Sequence, residues 1–191
     1  EKDSRLVKKK LLLHICCGPC SLHVMQKLQA DFEVSGFFYN PNIQPFAEYE
    51  FRRLELAKIA EKFAWPMVYA DYDMREWFAT VRGLEREPER GERCPVCFRF
   101  RLEKTFRYAR EHGFDCVAST LSISPYKVTA QINGEGLALA QKYGIAFLPE
   151  NFKKNNGFLL ACRQAEALGV KHQDYCGCAY SKAERLLRLR K

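Results

Sequence analysis

No run of apolar residues in this chain approaches the roughly 20 that a membrane-spanning helix needs. The apolar stretch from Leu11 to Ile15, behind a charged start from Glu1 to Lys10, is too short for the core of a secretory leader. A soluble cytoplasmic protein without a membrane partner is therefore expected. No Gly-x-Gly-x-x-Gly follows that first apolar stretch, where Cys16-Cys17-Gly18-Pro19-Cys20 stands instead, so hydride transfer from a bound dinucleotide is not expected. The chain lacks internal repeats and low-complexity segments, and no His-x-x-x-His is present to complete a zinc site. At 191 residues, 47% hydrophobic and 28% charged, it has room for one sizeable core rather than two, so a single domain over 1–191 is expected.

What is present in excess is sulfur and positive charge. Nine cysteines are an odd number and cannot all pair into intramolecular disulfides. Thiols kept reduced in a cytosol serve metal or redox chemistry more often than cross-linking. The net charge of +8 favours an anionic partner such as nucleic acid, although a basic chain also gains solubility from it.

Strands and helices alternate along the chain. Lys10 to Ile15 reads as a strand, and Ser21 to Gln29 as a helix after a tight turn. The pattern repeats with Val34 to Tyr39 and Ala47 to Phe63, then with Met67 to Ala70 and Arg75 to Val81. Glu85 to Glu92 reads as an exposed loop, Cys94 to His112 as a helix and Cys116 to Leu121 as a strand. Val128 to Tyr143 is a further helix and Ile145 to Leu148 a fifth strand, with a partly helical remainder broken at Cys176-Gly177-Cys178. This order predicts an α/β, Rossmann-like parallel sheet of about five strands with helices on both faces and a helical C-terminal segment. Ligands in such sheets sit at the carboxyl ends of the strands. Those ends carry Cys16-Cys17, Tyr39-Asn40-Pro41-Asn42, Asp71-Tyr72-Asp73 and Ser122 to Lys127.

Seven cysteines fall into ligand-spaced groups. Cys17-Gly-Pro-Cys20, preceded by Cys16, lies between a strand and a helix, where the helix N-terminus stabilises thiolate. Cys94-Pro-Val-Cys97 repeats the spacing that lets two sulfurs reach one metal or cluster from a single turn, and Cys176-Gly-Cys178 is a tighter pair. Cys116 within a strand and Cys162 on a helix face read as packing residues, since cysteine behaves as a small hydrophobe. One structural zinc would leave three of the seven thiols unused. A four-cysteine cubane with a second site accounts for all of them. His14, within a strand, reads as a core residue rather than a ligand. Asp73 is a candidate to complete a mixed sulfur and oxygen site, and Asp71 reads as the cap of the following helix. The string Cys-Gly-Pro-Cys also fits a thioredoxin-like dithiol pair, but that reading leaves five clustered thiols without a role.

Arg86, Arg90, Arg93, Arg99, Arg101, Lys153-Lys154, Arg185, Arg188, Arg190 and Lys191 are candidate phosphate-neutralising groups, acting collectively. Tyr39, Tyr126 and Tyr175 either stack on unpaired bases or belong to the core. A metal-stabilised RNA-binding module without catalysis remains the alternative of a different class.

Taken together the motifs resemble the epoxyqueuosine reductase QueH family. The resemblance is carried by Leu12 to Ser21, Tyr39-Asn-Pro-Asn-Ile43, Glu48-Tyr49, Arg52, Tyr72-Asp73, Trp77, Arg93-Cys-Pro-Val-Cys-Phe98 and Arg101-Leu102. It continues through Thr120-Leu121, Ser124-Pro-Tyr-Lys127 and Gln173-Asp-Tyr-Cys-Gly-Cys178, across nearly the whole chain. It implies a [4Fe-4S] cluster beside a second iron, an external low-potential electron donor, and cobalamin-independent reduction of epoxyqueuosine to queuosine in the anticodon loop of tRNA. Cys16, Cys17, Cys20, Cys94, Cys97, Cys176 and Cys178 are then the metal ligands, with residues 151–191 completing the site. The expected partition puts Cys17, Cys94, Cys97 and Cys176 on the cluster and Cys16, Cys20 and Cys178 at the second metal. Asp73, Tyr126 and Lys127 are the candidate proton-donating or positioning residues. Asn40, Asn42, Arg52, Arg93, Ser124 and Gln173 are the candidate substrate contacts.

Overall fold

A computed structural model describes residues 7–189. Arg190, Lys191 and the first six residues, with their share of the charge noted above, lie outside it.

Five strands, β1 (Lys9–His14), β2 (Phe32–Phe38), β3 (Met67–Tyr69), β4 (Cys116–Ser119) and β5 (Ala146–Phe147), form one sheet in the order β3-β2-β1-β4-β5. Every neighbouring pair is parallel. β1 is central, and its side chains alternate between two cores, as the period of two in a strand requires. Leu11, Leu13 and Ile15 pack with helices α1 (Gly18–Gln29), α2 (Phe46–Lys62) and α6 (Gly157–Ala167). Leu12 faces the other way, with Phe37 and Tyr39, onto α4 (Arg93–Glu111) and α5 (Thr129–Tyr143). Both faces of β1 are thus dry, which explains its run of three leucines, Leu11 to Leu13. Two further helices, α3 (Met74–Thr80) and α7 (Ala179–Leu189), complete the described residues.

The chain leaves β1 for α1 on one face and reaches β4, on the other side of β1, only after α4 on the opposite face. The carboxyl ends of β1 and β4 therefore flank a topological switch point, where doubly wound sheets open a crevice. β4 ends at Ser119, sooner than its apolar pattern extends. Thr120–Ile123 coil into a 3-10 turn, with Ser119 Oγ accepting from the Leu121 N–H at 3.2 Å.

Candidate metal centre

Two turns gather the first three cysteines. Cys16 stands two residues past β1, after Ile15, and its N–H is donated to Thr120 Oγ1 of the 3-10 turn at 3.2 Å. Cys17 is extended at the N-cap of α1, with Pro19 in the first turn, where its missing N–H costs nothing. A Cβ at Gly18 would stand 2.7 Å from Ile59 Cδ1, so glycine is what lets this turn lie against α2. The Sγ atoms of Cys16, Cys17 and Cys20 lie within 4.8 Å of one another, the one such group of three metal-binding side chains among the described residues.

The other four thiols wall a separate, narrow cavity of about 30 Å³. Cys94 and Cys97 come from the first turns of α4, and Cys176 and Cys178 from the loop before α7. Each of three sulfurs receives a donor from elsewhere. Cys94 accepts from the Arg90 N–H at 3.2 Å, Cys97 from the Trp77 indole at 3.3 Å, and Cys178 from the Ser181 N–H at 3.3 Å. The 175–178 loop is pinned to α2 and to the residues before it. Arg52 donates to the carbonyls of Tyr175 (3.3 Å) and Cys176 (3.4 Å), and Gln44 donates its N–H to Gly177 O at 2.8 Å. Gly177 has φ +110°, a region that side-chain-bearing residues avoid, and a Cβ there would meet Ile43 Cγ1 at 2.8 Å.

The structure therefore divides the thiols by loop, and not as the sequence suggested: Cys17 stands with Cys16 and Cys20, and Cys178 with the α4 pair. Opposite facing of adjacent residues applies within a strand. Cys16 and Cys17 lie past its end, where the turn into α1 wraps the first three sulfurs together.

Charge in the two groups is arranged similarly. Hydrogen bonding from Cys17 and Cys20 holds the Cys16 thiol well below the usual range, while the same sharing pushes Cys17 up to about 12 and Cys20 well above the usual value. In the second group Cys178 acts likewise toward Cys176, whose thiol is held low and its own raised. Each group thus favours one thiolate, and a bound cation supplies what would deprotonate the rest. Lys127 answers both groups. Burial alone would lower its ammonium, but the charges of Cys16, Cys176 and Cys20 outweigh burial and raise it.

The donor sets differ in spacing. A single tetrahedral ion with metal–sulfur bonds of ~2.3 Å needs sulfurs about 3.8 Å apart, and Cys16 and Cys17 stand at 3.8 Å. The trio thus fits one ion and leaves a coordination position open. No three of Cys94, Cys97, Cys176 and Cys178 approach within 4.8 Å of one another. Wider spacing of four thiols fits a multi-iron cluster, whose ligands bind different irons. The wall of the narrow cavity also holds Asn42 Oδ1, Arg101 Nε and Gln131 Oε1, buried and without protein partners, as expected where a polar group is to be received.

A wide cavity of about 470 Å³ opens from the Cys16-Cys17-Cys20 trio. Four residues line both cavities and so form the partition between them: Glu89, Tyr126, Lys127 and Cys176. Tyr126 is 63% exposed on the rim. Arg52, Ser124, Gln173 and Tyr175 also line the wide cavity, and Ser124 Oγ accepts from the Tyr126 N–H at 3.3 Å.

Other residues singled out in the sequence stand elsewhere. Asp73 lines neither cavity. Its carboxylate accepts from Tyr39 Oη at 2.9 Å and pairs with Lys104 at 3.2 Å. Asp73 also occupies the N-cap position of α3, without a side-chain capping bond, and Asp71 is exposed in the loop before it. Tyr39 is buried in the core behind α4, with no ring face open for stacking. Asn40 donates to Ile15 O at 2.9 Å and accepts from Arg101 at 2.5 Å, so its amide braces β1 against α4. Arg93 is buried and donates to the carbonyls of Leu84, Glu85 and Glu87, which clamps the loop ahead of α4. His14 is buried with its Nε2 against Tyr39 O and Nδ1 against Ser119 Oγ. Burial, with Arg101 nearby, lowers it to about 3, so it is neutral. Cys116 is core, whereas Cys162 lines the wide cavity. The residue missed in the sequence is Glu89: a charged, Pro- and Gly-containing stretch carries the signal of an exposed loop, and it is tertiary contacts with Arg93 and α7 that fold it inward.

The family model for epoxyqueuosine reductase QueH matches residues 11–184. Among curated relatives, epoxyqueuosine reductase QueH of Haemophilus influenzae is 44% identical over 174 residues, 90% of this chain and 71% of that protein. The Thermotoga maritima protein of the same name is 37% identical over 178 residues, 92% of this chain and 91% of its own length. Among solved structures, the U34-tRNA thiolase NcsA from Methanococcus maripaludis with its [4Fe-4S] cluster superposes with a TM-score of 0.56 at 14% identity. That match covers 95% of this chain and 64% of the thiolase. A predicted subunit of tRNA methyltransferase from Methanocaldococcus jannaschii gives a TM-score of 0.53 at 11% identity, covering 81% and 74%. At such identities the likeness is one of fold.

Proposed function

The chain belongs to the epoxyqueuosine reductase QueH family, and from that premise we propose that it reduces epoxyqueuosine in the anticodon loop of tRNA to queuosine, using two metal groups set on either side of the partition. In this reading Cys94, Cys97, Cys176 and Cys178 hold a [4Fe-4S] cluster, and Cys16, Cys17 and Cys20 hold a single iron, so that residues 151–191 complete the centre. When bound, the cluster stores electrons one at a time from an external low-potential donor, and the ion acts as a Lewis acid toward the epoxide oxygen.

The chain's own residues do the rest. The wide cavity admits the modified base, and the exposed Tyr126 ring on its rim offers a stacking face for it. Lys127, kept protonated by the thiolates on both sides of it, holds a proton where the oxygen departs. Arg52 keeps Cys176 at the partition by holding the carbonyls of its loop. The observation that carries the proposal is the convergence of a three-thiol and a four-thiol group on one partition at the carboxyl end of β1. A dithiol oxidoreductase needs one pair, and this end of the sheet gathers seven thiols.

The test is iron and acid-labile sulfide analysis of anaerobically prepared protein, followed by mass spectrometry of digested epoxyqueuosine-containing tRNA after incubation with a reduced donor. The expected result is a brown protein containing sulfide and a product nucleoside lacking one oxygen. Colourless, zinc-only protein with full activity rejects the cluster. Iron- and sulfide-loaded protein that binds tRNA but leaves the epoxide intact favours the RNA-binding module.

A further inference from the structure

Glu89 is one of the four residues in the partition, and nothing above gives it a task. Its loop is held from three sides. Arg93 grips the carbonyls just before it, the Glu89 N–H is donated to Glu184 Oε2 on α7 at 3.0 Å, and Ser181 Oγ, also on α7, donates to its Oε2 at 3.5 Å. Among the described residues its second oxygen, Oε1, has no hydrogen-bond partner, and neither Glu89 nor Lys127 forms an ion pair. An acid on the loop before α4 and a base on the loop after β4 thus border the same gap unpaired, with Cys176 beside them.

We propose that Glu89 is a catalytic acid of this reaction, delivering one of the two protons that the departing oxygen takes up while Lys127 delivers the other. The inference rests on the reductase reading. Turning an epoxide into an alkene breaks both carbon–oxygen bonds and forms one π bond between the two carbons. Two electrons enter singly from a low-potential one-electron carrier, and two protons join the oxygen, which leaves as water. A neutral carboxyl and an ammonium at one gap supply both protons, becoming carboxylate and amine, and solvent in the wide cavity restores them. One acid alone would have to be reprotonated within the turnover.

The surroundings keep such a carboxyl protonated. Burial raises Glu89 above the usual carboxylate range, Glu184 adds to this, and Lys127 opposes it. The other charged groups bordering the cavities near it are Arg90 and Arg93 from the α4 side and Arg185 and Arg188 from α7. Glu184 and Arg188 are tied to each other. An acid must be protonated to act, so the rate should fall as pH rises through the Glu89 value.

The experiment compares wild type, Glu89→Gln and Glu89→Asp as anaerobic, iron-loaded protein under single-turnover conditions with epoxyqueuosine-containing tRNA, from mildly acidic to mildly alkaline pH. Glu89→Gln should keep its iron, sulfide and tRNA affinity, lose about 100-fold in rate and lose the decline of rate with rising pH. Glu89→Asp should restore part of both. A Glu89→Gln protein that sheds iron overturns the proposal by making Glu89 a metal ligand. One with the wild-type rate and pH profile overturns it by making the residue a bystander. Wild type that holds iron and sulfide yet converts nothing overturns the reductase reading, and Glu89's role falls with it.

Discussion

Cys97 and Cys116 are both buried thiols, yet their sulfurs do opposite things. Cys97 accepts from the Trp77 indole at 3.3 Å, the arrangement that stabilises a thiolate on a metal, whereas Cys116 directs its own thiol at the Val117 carbonyl at 3.7 Å. Cys94→Ala or Cys97→Ala should therefore abolish the visible absorbance and acid-labile sulfide of the anaerobic protein. Cys116→Ala should keep both and cost about 1 kcal/mol in denaturant unfolding. Equal loss of sulfide at all three positions would remove the distinction drawn from these bonds. Cys116, outside any ligand-spaced pair, reads as packing in the sequence and is buried in the core. Spacing was not enough to place Cys162, which reads as packing on a helix face but lines the wide cavity because α6 lies against α1. Asp73 shows the same limit in reverse. It stands at a strand end in sequence, and its carboxylate turns to Tyr39 and Lys104.

The elements themselves were more legible than their meeting points. β1 carries an apolar run at Leu11 to Leu13, as a doubly covered parallel strand should, and α4 shows its period plainly. By contrast β5 is two residues long, paired only through Cys116↔Ala146 and Val117↔Phe147, and β4 gives way to a 3-10 turn at Thr120 although Leu121 and Ile123 continue a strand-like alternation. The partition of the thiols was illegible for a related reason. Which loop faces which depends on tertiary ties, above all the hold of α2 on the 175–178 segment. Arg52→Ala removes the donors to the Tyr175 and Cys176 carbonyls and leaves both groups without them, a loss of about 1–3 kcal/mol. The sheet does not depend on this contact, so far-ultraviolet circular dichroism should be unchanged while iron retention falls severalfold on challenge with a chelator. Full iron retention would show that the segment is held by the Gln44 contacts alone.

At the scale of the whole molecule, the excess of positive charge is spread unevenly in what it is free to do. Arg101 and Arg93 are buried and committed to protein partners, and Lys153 donates its ammonium to the Lys127 carbonyl at 2.9 Å, where burial lowers it. Exposed and available to phosphates are Arg86, Arg99 and Lys154 and, on the rim of the wide cavity, the α7 pair Arg185 and Arg188. Both arginines are paired with surface acids, Asp174 and Glu184, and surface pairs contribute only about 0–1 kcal/mol, so phosphates can displace them at little cost. Affinity for tRNA should fall steeply with salt through release of counterions. Arg185→Ala with Arg188→Ala should weaken binding and reduce the slope of log affinity against log salt by roughly 1.5. Lys153→Ala should leave the slope alone and lower the single-turnover rate instead, because its ammonium supports the loop that carries Lys127 across the partition. Filter binding over a salt series, paired with rates measured at saturating tRNA, separates the two kinds of effect. A Lys153→Ala protein that loses slope but not rate would move Lys153 to the RNA surface and leave the Lys127 loop standing without it.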